Sequence, residues 1–222
     1  MQQKFAYYRS VIKSNVTYIN FAVPSSTNSK PSMSMCLMNT RSIISKLESF
    51  LDIFCENRPD LIAVTETWLS ANDQAAKAAI IPCGYKLVDC PRVDRAGGGT
   101  ALLFAQSIDV KLIDSGEKDS FEFSEYVMNS DNNKLRVCVI YRSTYSAAHP
   151  VTAQRFLSEF AQYLESVILS PELLLICGDF NIHVDVVDNH DTIAFLDLLE
   201  SFALKQHVDF PTHEHAVTPL TC

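Results

Sequence analysis

In the stretch LLLICGDFN, residues 173–181, the apolar run LLLIC (173–177) leads straight into GDFN (178–181), which carries two polar side chains, Asp179 and Asn181. An apolar run of this length that follows a Ser-Pro pair predicts a buried strand. In α/β proteins, functional groups gather just outside the carboxyl ends of strands, where a rigid frame holds the loops. Asp179 and Asn181 are therefore candidate functional residues.

Earlier apolar runs end in the same way. The run MSMCLMN closes on Asn39, LIAVTET carries Glu66 near its end, and VCVIY closes on Tyr141. The ends of neighbouring strands can meet at one pocket. We therefore expect these polar side chains to share one site with Asp179 and Asn181.

Three segments carry apolar residues at helical spacing, which predicts amphipathic helices at about 42–57, 152–168 and 191–203. The runs at 33–39 and 61–67 flank the first helix, and strand, helix, strand is the opening of an α/β fold. Further strands are predicted at 85–89, 100–105, 123–128 and 134–142, with hairpin residues at 131–133. The fold class is therefore α/β (α+β), with two packed sheets and helices outside.

The composition is typical of one globular domain, because 222 residues with 47% hydrophobic content can bury a single large core. We expect this domain to span 34–222, after a poorly ordered N-terminal extension with a polar linker at 1–33. No apolar run near the N-terminus is long enough for a signal peptide or a membrane span. The seven cysteines include no Cys-x-x-Cys pair. Reduced thiols, an intracellular location (nuclear or cytoplasmic) and no membrane partner are therefore expected.

The net charge of −8 at first argues against a nucleic-acid partner, since phosphate binding normally needs Lys and Arg. The acidic residues are concentrated towards the end of the sequence, where residues 174–222 hold eight acidic residues and one basic residue. Such a cluster is either a solvated face or a set of carboxylates that bind a hard cation. Only the arrangement of particular acidic residues can decide between the two.

Each candidate residue also has a structural interpretation. Asn39 suits a helix cap, Glu66 a surface loop and Asp179 an Asx turn. Together with the phenol of Tyr141, however, they offer carboxylate ligands, a base for water and donors for phosphate oxygens. The combination predicts a magnesium site that works on a phosphodiester.

Five segments, in this order and spacing, resemble the endonuclease/exonuclease/phosphatase superfamily. They are MNTRSIISKLESF (38–50), RPDLIAVTETWLS (58–70), DRAGGGTALLF (94–104), CVIYR (138–142) and LLICGDFNIHVD (174–185). More narrowly, they are similar to the apurinic-endonuclease-like domain of non-LTR (LINE-type) retrotransposons. The resemblance covers about residues 34–215 and implies a four-layer sandwich of two mixed β-sheets flanked by helices.

The resemblance implies a role for each candidate residue. Glu66 would bind Mg²⁺ (or Mn²⁺), with Asn39 beside it in the metal and water network. Asp179 would be the general base for the attacking water, and Asn181 would hold the phosphate or Asp179 in place. Tyr141 would donate a hydrogen bond near the scissile phosphate. The implied reaction nicks DNA and leaves a 3′ hydroxyl that primes reverse transcription.

The sequence also departs from the family pattern. The family continues after the THEH segment into a strand with a second aspartate and then a Ser-Asp-His motif, whereas this sequence reads THEHAVTPLTC and ends at Cys222. The resemblance therefore implies a C-terminally truncated domain that lacks its last strands and has impaired activity. We do not expect His183, His213 or His215 to replace the missing histidine.

Two other functions stay open. A phosphatase or sphingomyelinase-like member of the superfamily would share the same carboxylates, although the TETWL and GGGTALLF segments favour the retrotransposon type. A non-catalytic remnant or binding module is the second alternative.

The Gly97-Gly98-Gly99 triplet predicts a flexible or close-packed turn, and Trp68 is predicted to be a core or rim residue rather than a stacking platform. The sequence sets neither the DNA target nor the oligomeric state.

Overall fold

The computed structural model describes residues 12–13, 16–22, 32–93, 96–130, 133–147, 149–186 and 188–208. The strands in these ranges are β1 (Ile12–Lys13), β2 (Val16–Ala22), β3 (Ser32–Asn39), β4 (Leu61–Thr65), β5 (Tyr85–Cys90), β6 (Thr100–Ala105), β7 (Val110–Glu117), β8 (Glu122–Ser130), β9 (Asn133–Tyr141) and β10 (Leu173–Asp179). The helices are α1 (Leu47–Asn57), α2 (Gln74–Ile80), α3 (Ala153–Ile168) and α4 (His190–Ser201). A 3₁₀ turn, Ile44–Lys46, leads into α1.

The first sheet has the strand order β1-β2-β3-β4-β6-β5. Strands β3 and β4 are parallel, and all other neighbours in this sheet are antiparallel. Every residue of β4 is buried, as expected for a continuous apolar run at the centre of a sheet. The sheet is therefore mixed, with its parallel pair in the middle.

The second sheet has the strand order β10-β9-β8-β7. Here β9 and β10 are parallel, whereas β7, β8 and β9 form an antiparallel meander. The predicted hairpin is confirmed, because Ser130 pairs with Asn133 at the end of the β8–β9 ladder.

The two sheets pack face to face. Apolar side chains of both sheets fill the space between them, among them Met35, Leu61, Leu102, Tyr126, Leu135 and Val137. Helices α1 and α2 cover the outer face of the first sheet, and α3 and α4 cover the outer face of the second. The predicted four-layer sandwich of two mixed sheets flanked by helices is confirmed.

The helices begin and end where local side chains favour it. The Thr152 hydroxyl accepts the N–H of Arg155 at the start of α3, and the Asn189 side chain caps α4. Helix α3 then buries one face on the second sheet through Phe156, Phe160, Tyr163, Leu164 and Val167. Helix α1 ends at Asn57, and the next residue, Arg58, takes a left-handed φ of 41° before Pro59.

The N-terminal segment differs from the prediction. Within the expected poorly ordered extension, Val16–Ala22 forms β2 and pairs antiparallel with β3 along seven residues. Phe21 is buried in the core between the sheets. The sequence did not predict β2, because its pairing partner β3 lies on the far side of the polar Pro/Ser stretch. The proposed limits of the domain, 34–222, and the expectation that it lacks its last strands stay predictions, because residues 209–222 lie outside the described ranges.

The six cysteines in the described ranges are free thiols. Cys36, Cys138 and Cys177 are buried, Cys90 is partly buried, and Cys55 and Cys83 are exposed. None of the described helices is long and apolar enough to cross a membrane.

Candidate active site

Two parallel strand pairs bring the candidate residues together. At the end of the first pair, Asn39 of β3 is level with Thr65 of β4, so Glu66 follows the strand directly. At the end of the second pair, Asp179 of β10 is level with Tyr141 of β9. Both pairs end at the same edge of the sandwich, where β10 contacts β3 and β4.

The Asn39 amide joins the two sheets. Its Nδ2 donates to Glu66 Oε1 at 2.8 Å and to Asp179 Oδ2 at 2.6 Å. These two carboxylate oxygens are therefore no further apart than the sum of the two distances. Asn39 Oδ1 accepts the N–H of Arg41 at 3.1 Å, which fixes the amide nitrogen towards the carboxylates. The structure therefore brings Asn39, Glu66 and Asp179 together, as expected.

Tyr141 faces the same carboxylates. Tyr141 is only 7% exposed, and its hydroxyl lies near enough to Glu66 to interact with its charge. Burial raises the pKa of the Tyr141 hydroxyl above its usual value, and the charges of Glu66 and Asp179 raise it further. At neutral pH the phenol is therefore a hydrogen-bond donor rather than a base.

The loop after β10 is clamped to the residue after Tyr141. Asp179 Oδ1 accepts the N–H of Asn181 at 3.0 Å, and Asn181 Nδ2 donates to the backbone oxygen of Arg142 at 2.5 Å. In return, Arg142 Nη1 donates to the backbone oxygens of Phe180 and Asn181, both at 3.1 Å. Burial lowers the pKa of the Arg142 guanidinium, which also lies over the Phe156 ring. Asn181 thus holds Asp179, and Arg142 holds Asn181.

The backbone at Glu66 is in an uncommon conformation. Glu66 has φ 54° and Asn181 has φ 49°, both in the left-handed region. Such residues cost about 1–3 kcal/mol each and persist only where the surroundings impose them. The Glu66 carbonyl is held by the Thr40 hydroxyl at 2.8 Å and the Ser42 N–H at 2.9 Å. Glu66 and Asn181 are therefore two site residues with a strained backbone.

A buried ion pair supports the Glu66 side of the site. The guanidinium of Arg92 pairs with Glu122, and both side chains are 7% exposed. Glu122 Oε2 also accepts the N–H of Gly99 at 2.7 Å, and Gly99 O accepts the N–H of Thr67 at 3.3 Å. Burial raises the pKa of the Glu122 carboxyl, while the Gly99 N–H and Arg92 act against that shift. The ion pair therefore fixes the glycine turn, and the turn fixes the residue after Glu66.

These geometric features agree with a match along most of the chain. The model of the Endonuclease/Exonuclease/phosphatase family matches residues 37–219. The chain belongs to the Endonuclease/Exonuclease/phosphatase family. The match contains Asn39, Glu66, Tyr141, Asp179 and Asn181.

Solved structures share the fold of this family member at low sequence identity. The AP endonuclease LMAP from Leishmania major is 14% identical with a TM-score of 0.61, over 82% of this chain and 72% of that one. An AP endonuclease from Archaeoglobus fulgidus is 18% identical with a TM-score of 0.53, over 75% and 70%. The 3′ phosphatase NExo from Neisseria, bound to a product DNA hairpin, is 16% identical with a TM-score of 0.52, over 76% and 70%. No curated protein matches the sequence.

The family resemblance implies a divalent cation, and the side chains fit one that prefers oxygen. Glu66 and Asp179 offer two carboxylates beside one amide, and Mg²⁺ is often bound by one or two carboxylates, with water and substrate phosphates completing the shell. Across the described ranges there is no group of three or more His, Cys, Asp or Glu that could hold a metal. Carboxylate oxygens are ligands that Mg²⁺ and Mn²⁺ prefer, whereas zinc sites are built mainly from Cys and His, so the two carboxylates suit Mg²⁺ or Mn²⁺ better than zinc.

Other residues singled out in the sequence lie as follows. His183 is exposed on the loop after β10, and His213 and His215 lie outside the described ranges. The Gly97-Gly98-Gly99 triplet is a close-packed turn, because a Cβ at Gly99 would lie 2.5 Å from Thr67 Oγ1. Trp68 is at the rim of the site and is 50% exposed.

Proposed function

We propose that this domain is a magnesium-dependent endonuclease that hydrolyses phosphodiester bonds in DNA, of the type found in non-LTR (LINE-type) retrotransposons. The observation that carries the proposal is the Asn39 amide, which donates to Glu66 at 2.8 Å and to Asp179 at 2.6 Å. Asn39 thus holds the two carboxylates side by side, with Glu66 placed to bind a cation and Asp179 to accept a proton from water. The segments TETWL and GGGTALLF favour the retrotransposon type.

Each residue has a defined task in this reaction. A cation bound at Glu66 would supply positive charge to a phosphate oxygen. Asp179 is partly exposed and takes the proton of the water that attacks phosphorus, while Asn39 and Asn181 hold its two oxygens. The protonated Tyr141 donates a hydrogen bond at the edge of the phosphate. The bond from phosphorus to the 3′ oxygen breaks, which leaves a 3′ hydroxyl and a 5′ phosphate.

The structural neighbours favour DNA as the substrate. They include AP endonucleases, a 3′ phosphatase bound to a product DNA hairpin, and TDP2 from D. rerio complexed with a single-strand DNA product. A DNA substrate and reduced thiols favour an intracellular location, nuclear or cytoplasmic.

The proposal is tested by nicking of supercoiled plasmid in Mg²⁺ and in EDTA. We expect nicking only in Mg²⁺ and at least a 100-fold loss in Asp179→Asn, because an amide cannot take the proton of water. Asp52→Asn, which changes an exposed carboxylate on α1, is the matched control and should leave nicking unchanged. Nicking that survives in EDTA or in Asp179→Asn contradicts the proposal. Release of phosphate from a 3′-phosphorylated oligonucleotide, without any nicking, would favour the phosphatase alternative.

A further inference from the structure

Trp68 is the exposed residue of an otherwise buried segment. Its neighbours Thr67 and Leu69 are 0% and 4% exposed, whereas the indole of Trp68 is 50% exposed. It lies two residues after Glu66, at the edge of the site. Single exposed apolar residues are common on protein surfaces, so exposure alone does not indicate a function. The way in which Trp68 is held is more informative.

The backbone of Trp68 is fixed in a conformation that aromatic residues rarely adopt. Its φ is 54°, in the left-handed region. Its N–H donates to Gly98 O at 2.9 Å, and its indole lies against Gly97. The same glycine turn is held by the buried pair of Arg92 and Glu122 through Gly99. The exposed ring is therefore mounted on a rigid support.

An exposed arginine belongs to a second turn beside Glu66. The turn of Arg41 and Ser42 runs beside the Glu66 segment, since the N–H of Ser42 donates to Glu66 O at 2.9 Å. The Ile43 N–H donates to Thr67 O at 3.1 Å. Arg41 is exposed and has φ 43°, so this turn is also fixed in an uncommon conformation. An exposed aromatic ring and an exposed arginine, on segments that run next to Glu66, match the chemistry of a nucleotide.

We propose that Trp68 is a stacking platform for an unpaired base next to the scissile phosphate; this rests on the proposed function and adds a base-binding subsite to it. The net charge of −8 limits the affinity that phosphate contacts alone can supply. Stacking needs no positive charge and tolerates any base, because every base has an aromatic face. The sequence predicted a core or rim residue at Trp68, and the proposal makes it a rim residue that stacks on a base.

The fluorescence of the unmodified chain tests this directly, because Trp68 is the only tryptophan. The probe is a single-stranded oligonucleotide, added in EDTA so that no cleavage occurs. We expect its bases to quench the Trp68 emission in a saturable titration. An oligonucleotide of equal length and charge, with abasic sugars in place of its nucleosides, should quench far less. Equal quenching by both, or no quenching, overturns the proposal.

Substitutions separate stacking from general binding. In anisotropy titrations with a labelled oligonucleotide in EDTA, Trp68→Ala should raise Kd about tenfold, and Trp68→Phe should raise it less. Leu169→Ala is the control, because Leu169 is 88% exposed and directly follows α3. It precedes the first residue of β10, whereas Asp179 is the last residue of that strand. An unchanged Kd in Trp68→Ala, with circular dichroism unchanged, overturns the proposal.

Failure of the two proposals can be told apart. If nicking depends on Asp179 but Trp68 emission does not respond to DNA, only the base-stacking subsite is wrong. If base-dependent quenching occurs but no nicking is found in Mg²⁺, the nuclease proposal fails and the binding subsite remains.

Discussion

Arg142 holds the backbone of the loop that follows Asp179. It is 6% exposed and its Nη1 holds two backbone oxygens of that loop at 3.1 Å, while the guanidinium lies 5.1 Å from the Phe156 ring centroid. A lysine keeps the charge, but its compact ammonium cannot reach both oxygens and stack on a ring. The shape of the guanidinium, and not only its charge, therefore matters here.

We expect Arg142→Lys to lower the free energy of unfolding by roughly 2 kcal/mol, because hydrogen bonds of a buried cation are lost. The measurement is urea unfolding followed by circular dichroism. Arg155→Lys is the matched control, because Arg155 is 55% exposed and its ion pairs with Asp119 and Glu159 lie at the surface. Equal effects of the two substitutions would show that Arg142 is not a clamp.

The sequence could predict the candidate residues but not their supports. Asn39, Glu66 and Asp179 were visible because each follows an apolar run, so a local pattern marks it. Supporting contacts carry no such mark: Arg92 and Glu122 are 30 residues apart, and Arg142 reaches partners 38 and 39 residues away. A residue whose role depends on a distant partner cannot be found from a local pattern. A charged residue next to a predicted strand, such as Glu122 directly before 123–128, was the available signal.

At the scale of elements, β10 approaches β9 more closely at Gly178 than any side chain allows. Gly178 has φ 148°, and a Cβ placed on it would lie 1.8 Å from the backbone oxygen of Ile140. The strand that delivers Asp179 therefore needs glycine directly before it.

We expect Gly178→Ala to lower the free energy of unfolding by about 3 kcal/mol or more, or to prevent folding, because the parallel ladder must separate. Gly84→Ala is the control: Gly84 also has a positive φ, 86°, but a Cβ there would meet nothing within 4 Å. The alanine should then add only backbone strain, which lowers the free energy of unfolding by about 1 kcal/mol. Urea unfolding of both variants gives the comparison, and equal losses would contradict the close approach.

The elements that the sequence predicted are those with strong apolar patterns. The helices α1, α3 and α4 and the strands β3 to β6 and β8 to β10 were expected within a few residues of their observed bounds. Four elements were missed for physical reasons. Strand β2 depends on pairing with β3, and the two-residue strand β1 depends on pairing with β2. Edge strand β7 is mostly exposed, and α2 is an alanine-rich helix that buries only Ile80. Weak burial leaves weak periodicity.

At the scale of the whole molecule, the sandwich decides which thiols can react. Burial raises the pKa of Cys138 to about 12, and it raises the pKa of Cys36 and Cys177 as well. Because the thiolate is the nucleophile, these three should resist alkylation in the folded protein. Cys55 and Cys83 are exposed.

We expect iodoacetamide to label Cys55 and Cys83 in the native protein, and Cys36, Cys138 and Cys177 only in urea. Peptide mass spectrometry of the native and unfolded samples measures this. Labelling of the three buried cysteines at the same rate as Cys55 would contradict the packing of the two sheets.

The candidate site also depends on the whole sandwich, because each sheet supplies one half of it. Asn39 and Glu66 follow strands of the first sheet, and Tyr141, Asp179 and Asn181 end or follow strands of the second. The hydrogen bond from Asn39 to Asp179 spans 140 residues of sequence. Packing between the sheets therefore sets the distance between the two carboxylates.

If the two halves form one cation site, Mn²⁺ should bind there and depend on Glu66. Calorimetric titration with Mn²⁺ measures this on the unmodified chain, on Glu66→Gln and on the exposed-carboxylate control Asp52→Asn. We expect one tight cation per chain, lost in Glu66→Gln and retained in Asp52→Asn. Binding that is unchanged in Glu66→Gln, or absent from the unmodified chain, would contradict it.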